Sequence, residues 1–480
     1  MSVGYKVLAV LVLLADLAFC VITGMRKKDA VNNADDYFVG GKKTGAFVMS
    51  MSAFASLLGA GLFVGQCGRG AMYGISAYWQ LLGEGVIAGI VMALLVGPFL
   101  AHFKYYSMAH FISGHICGGD RAVRRIAGIA NLFPNVFWAG SQIMGISYIV
   151  QNVIGIDYRI VAIICGITFI SYTMVGGLES VLAADAFHGL IAIISCFIII
   201  ITSLSLMNFD LSWLQARVAA IDPVMWSATG TLSPVQIVTA FLTGFLGTLA
   251  NPIYWNRAFA AKDAATCRKA YTFAFTVGTI LPLGAILMGL LAFTYNQNVG
   301  DQALIWLVMN KMPPIITVML ALSVLAATLS SADTHLNCAS ANIVADVIDP
   351  SSSYSTEKTL KLSRTATLIG GVIAILVSMY FPSIYELANF GYTVCGGVLI
   401  PLFVIGLLMM DRKSETYSSK LKPVAARIGM ALGIVTAIVF QAVPSLNAMF
   451  GGGIIPAVLV TVLGILLSNP FVPAREAAET

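Results

Sequence analysis

Thirteen runs of mostly apolar residues divide this chain, at about 5–24, 46–72, 76–102, 123–153, 158–177, 184–207, 234–256, 271–295, 313–347, 364–381, 384–410, 424–443 and 452–469. A helix needs about 20 such residues to cross the hydrocarbon of a bilayer. There, every backbone N–H and C=O must find its partner inside the protein. The runs are too long and too uniformly apolar for barrel strands, which alternate and reach only about ten residues. The chain is therefore expected to be an all-α polytopic membrane protein of about 13 transmembrane helices. Composition agrees: 58% of the 480 residues are hydrophobic and 10% charged, at a mean hydropathy of +0.88, against roughly 25% charged in soluble domains.

Lys and Arg set the expected orientation. With the N-terminus outside and thirteen spans, the C-terminus lies in the cytoplasm, and 22 of the 27 basic residues fall on inner segments. Only Lys6, Arg69, Arg159, Arg217 and Lys311 lie elsewhere. A miscounted helix would scramble this segregation, which the positive-inside rule predicts for a multi-pass protein of the plasma (inner) membrane. The net charge of +5 is then a topology signal, and no nucleic-acid partner is expected. The first run lacks a small-residue cleavage site and is followed by MRKK, so it reads as a retained helix and not as a leader. Eight cysteines show no CxxC pairing and read as small packing residues. The five histidines form no HExxH-type constellation; His110 and His115 fall in an inner loop and read as solvated. With no nucleophile–base pair and no metal triad, no enzyme activity is expected.

The runs also carry a symmetry. Those from 46 to 207 and from 234 to 410 form two blocks of five spans, and an odd number of spans turns the second block upside down relative to the first. The expected domains are an extra helix and inner loop over 1–45, a first inverted repeat over 46–207, an outer loop over 208–233, a second repeat over 234–410, and two further helices with a short inner tail over 411–480. Inverted repeats mark secondary transporters, whose sites lie midway across the membrane at helices broken by Gly or Pro. Each block opens on such a candidate: SAFASLLGAGLFVGQCGRG, with Gly59, Gly61, Gly65, Gly68 and Gly70, and FLTGFLGTLANPIYW, with Gly244, Gly247, Asn251 and Pro252. Close helix packing at small residues is the alternative reading of those glycines.

One run is unusually polar. LAATLSSADTHLN places Thr328, Ser330, Ser331, Asp333, Thr334 and His335 within eight residues of an apolar helix. Residues three and four apart share a helix face, so Ala327, Ser330 and Ser331 can converge a carbonyl and two hydroxyls, and Ser330, Asp333 and Thr334 repeat the spacing one step round. A small hard cation takes such oxygens. Membrane Ser and Thr can also bond back to their own helix, but that leaves Asp333 unexplained, since a membrane carboxylate needs a partner or an ion. Asp185, in SYTMVGGLESVLAADAFHGL, either caps its helix or faces Asp333, where two close carboxylates hold a cation or share a proton. Glu84, a third acid, reads as reaching solvent. Arg69 either attracts an anionic solute or snorkels to the surface.

These motifs resemble the sodium:solute symporter family. The markers are DYFVGGKKTGAF before the first core helix, YTMVGGLESVLAADAFHG around the fourth and fifth, NPIYWNRAFAAKDAATCRKA at the sixth and LAATLSSADTHLNCASANIVADV at the eighth. The resemblance implies a five-plus-five inverted-repeat (LeuT-like) core with one helix before it and two after. It implies sodium as coupling ion, one ion or two. The main site maps to the carbonyls of Ala55, Leu58 and Ala327 and the hydroxyls of Ser330 and Ser331. A second cation site of some members maps to Asp185, Ser330, Asp333 and Thr334; here Asp333 stands where those members have serine, so a second sodium and a proton both remain open. The solute site maps to Leu57, Leu62, Phe63, Tyr78, Trp79, Trp138, Gln142, Asn251, Asn389 and Tyr392. Leu57, Leu62, Tyr78 and Leu387 stand where sugar carriers hydrogen-bond a hexose or proline carriers place an aspartate, which argues against sugar. Choline carriers share Trp138 but not the full aromatic cage.

The resemblance thus implies a sodium-coupled symporter importing a small organic solute (an amino acid, a carboxylate or vitamin, or a choline-like cation) and functioning as a monomer in the lipid bilayer. Proton coupling is the alternative within the same fold. A channel, which needs a filter repeated around an axis, and a membrane-embedded sensor are further removed.

Overall fold

The computed structural model describes residues 3–27, 45–351, 353–381, 383–411 and 418–473, with the side chains at 20, 21, 24–27, 172 and 175–184 excepted. Most of the DYFVGGKKTGAF marker, several of the orienting basic residues and most of the 411–417 connection lie outside them. Apart from a two-residue pairing of Met410–Asp411 with Ser418–Ser419, the described secondary structure is helical. We name α1 (Val3–Lys27), α2 (Ala46–Ala60), α3 (Gln66–Tyr73), α4 (Arg121–Ile154), α5 (Tyr158–Ser205), α6 (Pro234–Ala250), α7 (Pro252–Ala260), α8 (Ala264–Tyr295), α9 (Pro314–Ala341), α10 (Thr356–Tyr380), α11 (Ile384–Leu408), α12 (Pro423–Ala442) and α13 (Ile454–Ser468). Between α3 and α4, residues 78–100 form one stretch of alternating α- and π-turns.

By length and apolarity, eight described helical stretches could cross a membrane, or nine if the bent pair Pro444–Phe450 and Ile454–Ser468 is one span. Several expected runs are contained in longer elements. Residues 46–72 and 76–102 fall in one stretch, Ala46–Leu100, that Gly74 only turns, and 158–177 and 184–207 both lie in α5. The caps follow ordinary chemistry: Asp120 opens α4 by accepting the Val123 N–H, and Ser233 and Gln236 make a reciprocal capping box on α6.

α9 is the structural axis. Every residue from Val324 to Ala341 is buried, which no helix facing lipid could show. It packs against α2, α4, α5 and α10. Small residues bring the backbones together: a Cβ on Gly391 of α11 would stand 2.6 Å from the Pro134 Cα of α4. The extra helix α1 is tied to α5 by Asp16 and His188, Oδ1 to Nε2 at 3.1 Å.

His110 and His115 are half-buried among aromatic rings and not fully solvated. His110 packs between Tyr105 and Tyr106 (ring centroids at 4.9 and 5.5 Å), and His115 lies on Phe103 and Phe111. Burial and then the nearby Arg124 charge push His110 down to about 3. The flanking aromatic residues, not the loop position, decide its surroundings.

Candidate ion and solute site

Two helices are broken midway, and each break exposes backbone groups. The first lies between α2 and α3. Gly59 takes φ +29° and ψ 179°, and a π-turn, Gly61–Gly65, follows. A Cβ at Gly59 would stand 2.7 Å from Gln142 Oε1, so glycine is required both for the backbone angle and for the close approach. Neighbours satisfy the groups that the break releases. Gln142 of α4 accepts the Ala60 N–H on Oε1 at 2.7 Å. Ser331 of α9 donates to the Ser56 carbonyl at 3.0 Å, with the Ala55 carbonyl at 3.3 Å. The second break is self-contained. Asn251 is extended (φ −62°, ψ 119°) and caps α7 by accepting the Ile253 N–H, while Trp255 Nε1 donates to the Leu249 carbonyl at 2.7 Å.

Around the first break, α2 and α9 bring the ion candidates together. Ala55, Leu58, Ala327, Ser330 and Ser331 are all buried. Ser331 already has its hydroxyl on α2 carbonyls, whereas Ser330 donates to Asp185 Oδ1. Asp185 neither caps a helix nor stands free: it lies within α5, fully buried, and also accepts from Ser52 on Oδ2. Asp333 is buried and accepts from Thr334 at 3.4 Å.

The residue that sequence reasoning missed is Arg257. Counted there among inner basic residues, it is 2% exposed, on the short helix α7 that follows the Asn251–Pro252 break. Its Nη2 donates to Ser52 Oγ at 2.8 Å, Ser56 Oγ at 2.6 Å, Asp185 Oδ2 at 3.2 Å and Thr334 Oγ1 at 3.3 Å. Two residues of the expected second cation set, Asp185 and Thr334, thus belong to the cage of a cation that the chain itself supplies, and Ser330 joins it only through Asp185. A buried charge is tolerated when paired and hydrogen-bonded this fully. The available signal was NPIYWNR, which begins a helix at membrane depth and so carries its arginine inside.

The solute candidates divide. Trp138 stacks on Tyr392 (centroids 5.1 Å apart, 25° between planes) and lies beside Gly61; Asn251 donates to the Tyr392 hydroxyl at 3.3 Å. One turn away on α11, Asn389 accepts from Gln80 Nε2 at 2.8 Å. Leu62 and Phe63 line the π-turn, both buried. Leu57 packs instead against Gly278 of α8. Tyr78 and Trp79 are half-buried, and the Trp79 indole donates away from this cluster, to the Ala228 carbonyl at 2.7 Å. Gln80, next in the chain, faces inward in their place. Glu84 does not reach solvent: it is 2% exposed, with the Tyr392 hydroxyl 3.4 Å from Oε1. Broken helices meeting a polar axial helix, all inside a helical bundle, are the parts of an ion-coupled membrane transporter.

Comparison with known proteins places the chain more narrowly. The model of the "Sodium:solute symporter family" matches residues 37–416. A sodium/proline symporter of Staphylococcus aureus is 24% identical over 459 residues, covering 91% of this chain and 87% of that protein. A solved Na+-coupled sialic acid symporter, in a substrate-bound outward-open state, superposes with a TM-score of 0.74 at 20% identity, covering 98% of this chain and 99% of that one. Mhp1, a nucleobase-cation-symport-1 family transporter in a closed conformation with bromovinylhydantoin bound, gives 0.54 at 14% identity over 92% and 96%. The chain belongs to the sodium:solute symporter family. It is a multi-pass membrane transporter and not an enzyme, with sodium as its coupling ion.

Proposed function

We propose that this protein imports a small organic solute with sodium by alternating access, as a monomer in the plasma (inner) membrane with its N-terminus outside and its C-terminus in the cytoplasm. The observation that carries this reading is the Ser331 hydroxyl lying on the Ala55 and Ser56 carbonyls at the Gly59 break. Those oxygens, with Leu58, Ala327 and Ser330, offer a sodium ion hard ligands at little net charge. An ion there links α2 to α9 and so fixes the half-helix that borders the Trp138–Tyr392 pair. Solute binding then follows sodium binding, and the sodium gradient drives accumulation, with the membrane potential adding about 2.3 kcal/mol per charge per 100 mV.

The solute is an amino acid, a carboxylate or vitamin, or a choline-like cation. Trp138, Gln142, Asn251, Asn389 and Tyr392 receive it, with Leu62 and Phe63 beside them; Leu57, Tyr78 and Trp79 stand at a second remove. Proline and sialic acid, the solutes of two similar proteins, both carry a carboxylate. Asp185, Asp333 and Thr334 remain the place to look for a second cation or a proton, with Arg257 as the group that either must displace.

Thermal unfolding of the purified protein in NaCl and in KCl at equal ionic strength tests the reading. A ligand at about 100 times its dissociation constant stabilises by about 2.7 kcal/mol. Sodium is expected to raise the midpoint. Identical curves in both salts, with stabilisation by acid, would replace sodium by a proton.

A further inference from the structure

The end of the bundle where α3 stops and α11 begins holds a cavity of about 470 Å³, lined by polar and apolar groups. Its rim is exposed, at Glu386, Pro444 and Ala448, and its floor is buried, at Arg69, Thr239, Thr243 and Asn389. Asn389 joins this cavity to the Trp138–Tyr392–Asn251 cluster, because Asn389 and Tyr392 stand one turn apart on α11. In the orientation proposed above, the cavity faces outward, on the side from which a solute would enter.

Arg69 is the unusual member. It is 3% exposed, yet among the described residues no carboxylate lies within salt-bridge distance of it. Its guanidinium lies over the Tyr385 ring, Cζ 4.0 Å from the centroid, and Nη1 donates to the Ala77 carbonyl at 3.2 Å. Its Nε is buried without a hydrogen-bond partner. Tyr385 is in turn fixed by Gln80, to whose Oε1 it donates, and Gln80 donates to Asn389. The cation is therefore positioned on both sides, with the buried carboxyl of Glu84 near enough to feel its charge, but its Nε is left without a hydrogen bond at the wall of an accessible polar cavity. A buried charge so placed favours an anion with two acceptor oxygens. Glu386 lines the same cavity, which disfavours a second negative charge on the ligand and matches an ammonium.

We propose that this cavity is a binding site for small zwitterionic carboxylates, of the α-amino-acid class, in which Arg69 holds the carboxylate on the way to Asn389. The inference rests on the symport reading and deepens it by naming the substrate class. It separates an amino-acid solute from a choline-like cation, which Arg69 would repel.

The test measures the unfolding midpoint of the full-length protein in NaCl with L-alanine, L-proline, L-leucine and L-phenylalanine, with the amide of each, and with choline, all at equal concentration. At least one amino acid is expected to raise the midpoint while its amide and choline do not. In Arg69→Gln that shift should vanish, with the apparent affinity at least about tenfold weaker, while Arg69→Lys keeps part of it and the shift due to sodium alone persists in both. The proposal is overturned if amides or choline do as well as the acids, if Arg69→Gln responds like the wild type, or if sodium stabilises but no amino acid does. Should Arg69→Gln fail to fold, the comparison of acid with amide in the wild-type protein decides. If sodium gives no shift, the symport reading fails, and the same comparison still scores the cavity separately.

Discussion

Gln142 accepts the Ala60 N–H on Oε1 at 2.7 Å and so closes, from α4, a gap in the backbone of α2. The amide is itself oriented, because its Nε2 donates to the Trp138 carbonyl and to Ser141 Oγ. Replacing it by Leu leaves a buried N–H without a partner, a loss of about 1–3 kcal/mol. Gln142→Leu is expected to lower the unfolding midpoint and to weaken sodium's effect on it, whereas Gln142→Glu, which keeps an acceptor oxygen, should retain more of both. Equal losses in the two variants would show that the acceptor is not what matters.

Ser331→Ala removes the hydroxyl that α9 presents at the break. Sodium-dependent stabilisation should disappear, while the stability in KCl falls by only about 1 kcal/mol, the net worth of an ordinary hydrogen bond. Ser330→Ala should also reduce the sodium effect, and in addition free one oxygen of Asp185. Sodium affinity unchanged in both variants would move the ion elsewhere.

Asp185 and Arg257 form a buried pair, at 0% and 2% side-chain exposure. Removing either partner leaves a buried charge, at a loss of about 3–5 kcal/mol. Asp185→Asn and Arg257→Gln should each destabilise strongly, and the double variant should be less damaged than the sum of the two. A double-mutant cycle in thermal or denaturant unfolding reads the coupling directly; additive losses would mean that the pair is not a unit.

On the loop before α9, Asp301 accepts the Ile384 N–H at 2.7 Å and so caps α11. Burial pushes its carboxyl up to about 6, the Ile384 bond opposes this, and Glu386 adds to it. The folded state thus holds a proton that the unfolded chain releases near pH 4. Between pH 4 and 6 the folded state binds more protons, so stability falls as pH rises through that window, by about 2 kcal/mol, and levels off above it. Asp301→Asn, which can still accept from Ile384, should flatten the slope in midpoints measured from pH 4 to 7.

Much of this was legible in the chain. Apolar runs of span length give the helices, because hydrocarbon leaves no other way to bond a backbone. Glycine at 59 and Asn-Pro at 251–252 mark both breaks, since glycine accepts the positive φ that the first requires and proline removes a backbone donor at the second. Ser330, Ser331, Asp333 and Thr334 stood out as too polar for lipid, and all four are buried. Other features depend on packing that no local pattern encodes. Assigning Arg257 to a loop by charge overlooked that a helix restarting at mid-membrane carries its basic residue inward. Adjacent positions point about 100° apart on a helix, so the direction of Trp79 could not be separated from that of Gln80 without knowing which face α11 covers. Membrane elements that share one long helical stretch, as over 46–100 and 158–205, also hide their own boundaries.

The two breaks differ in who closes them. Asn251 and Trp255 mend theirs from within the same stretch of chain, so that gap travels as one piece wherever its helix goes. The gap at Gly59 is mended by residues of α4 and α9, and it stays shut only while both remain in register. A displacement of either neighbour by the length of one hydrogen bond unlatches it, which makes Gly59 the joint through which distant helices are felt at the centre of the membrane.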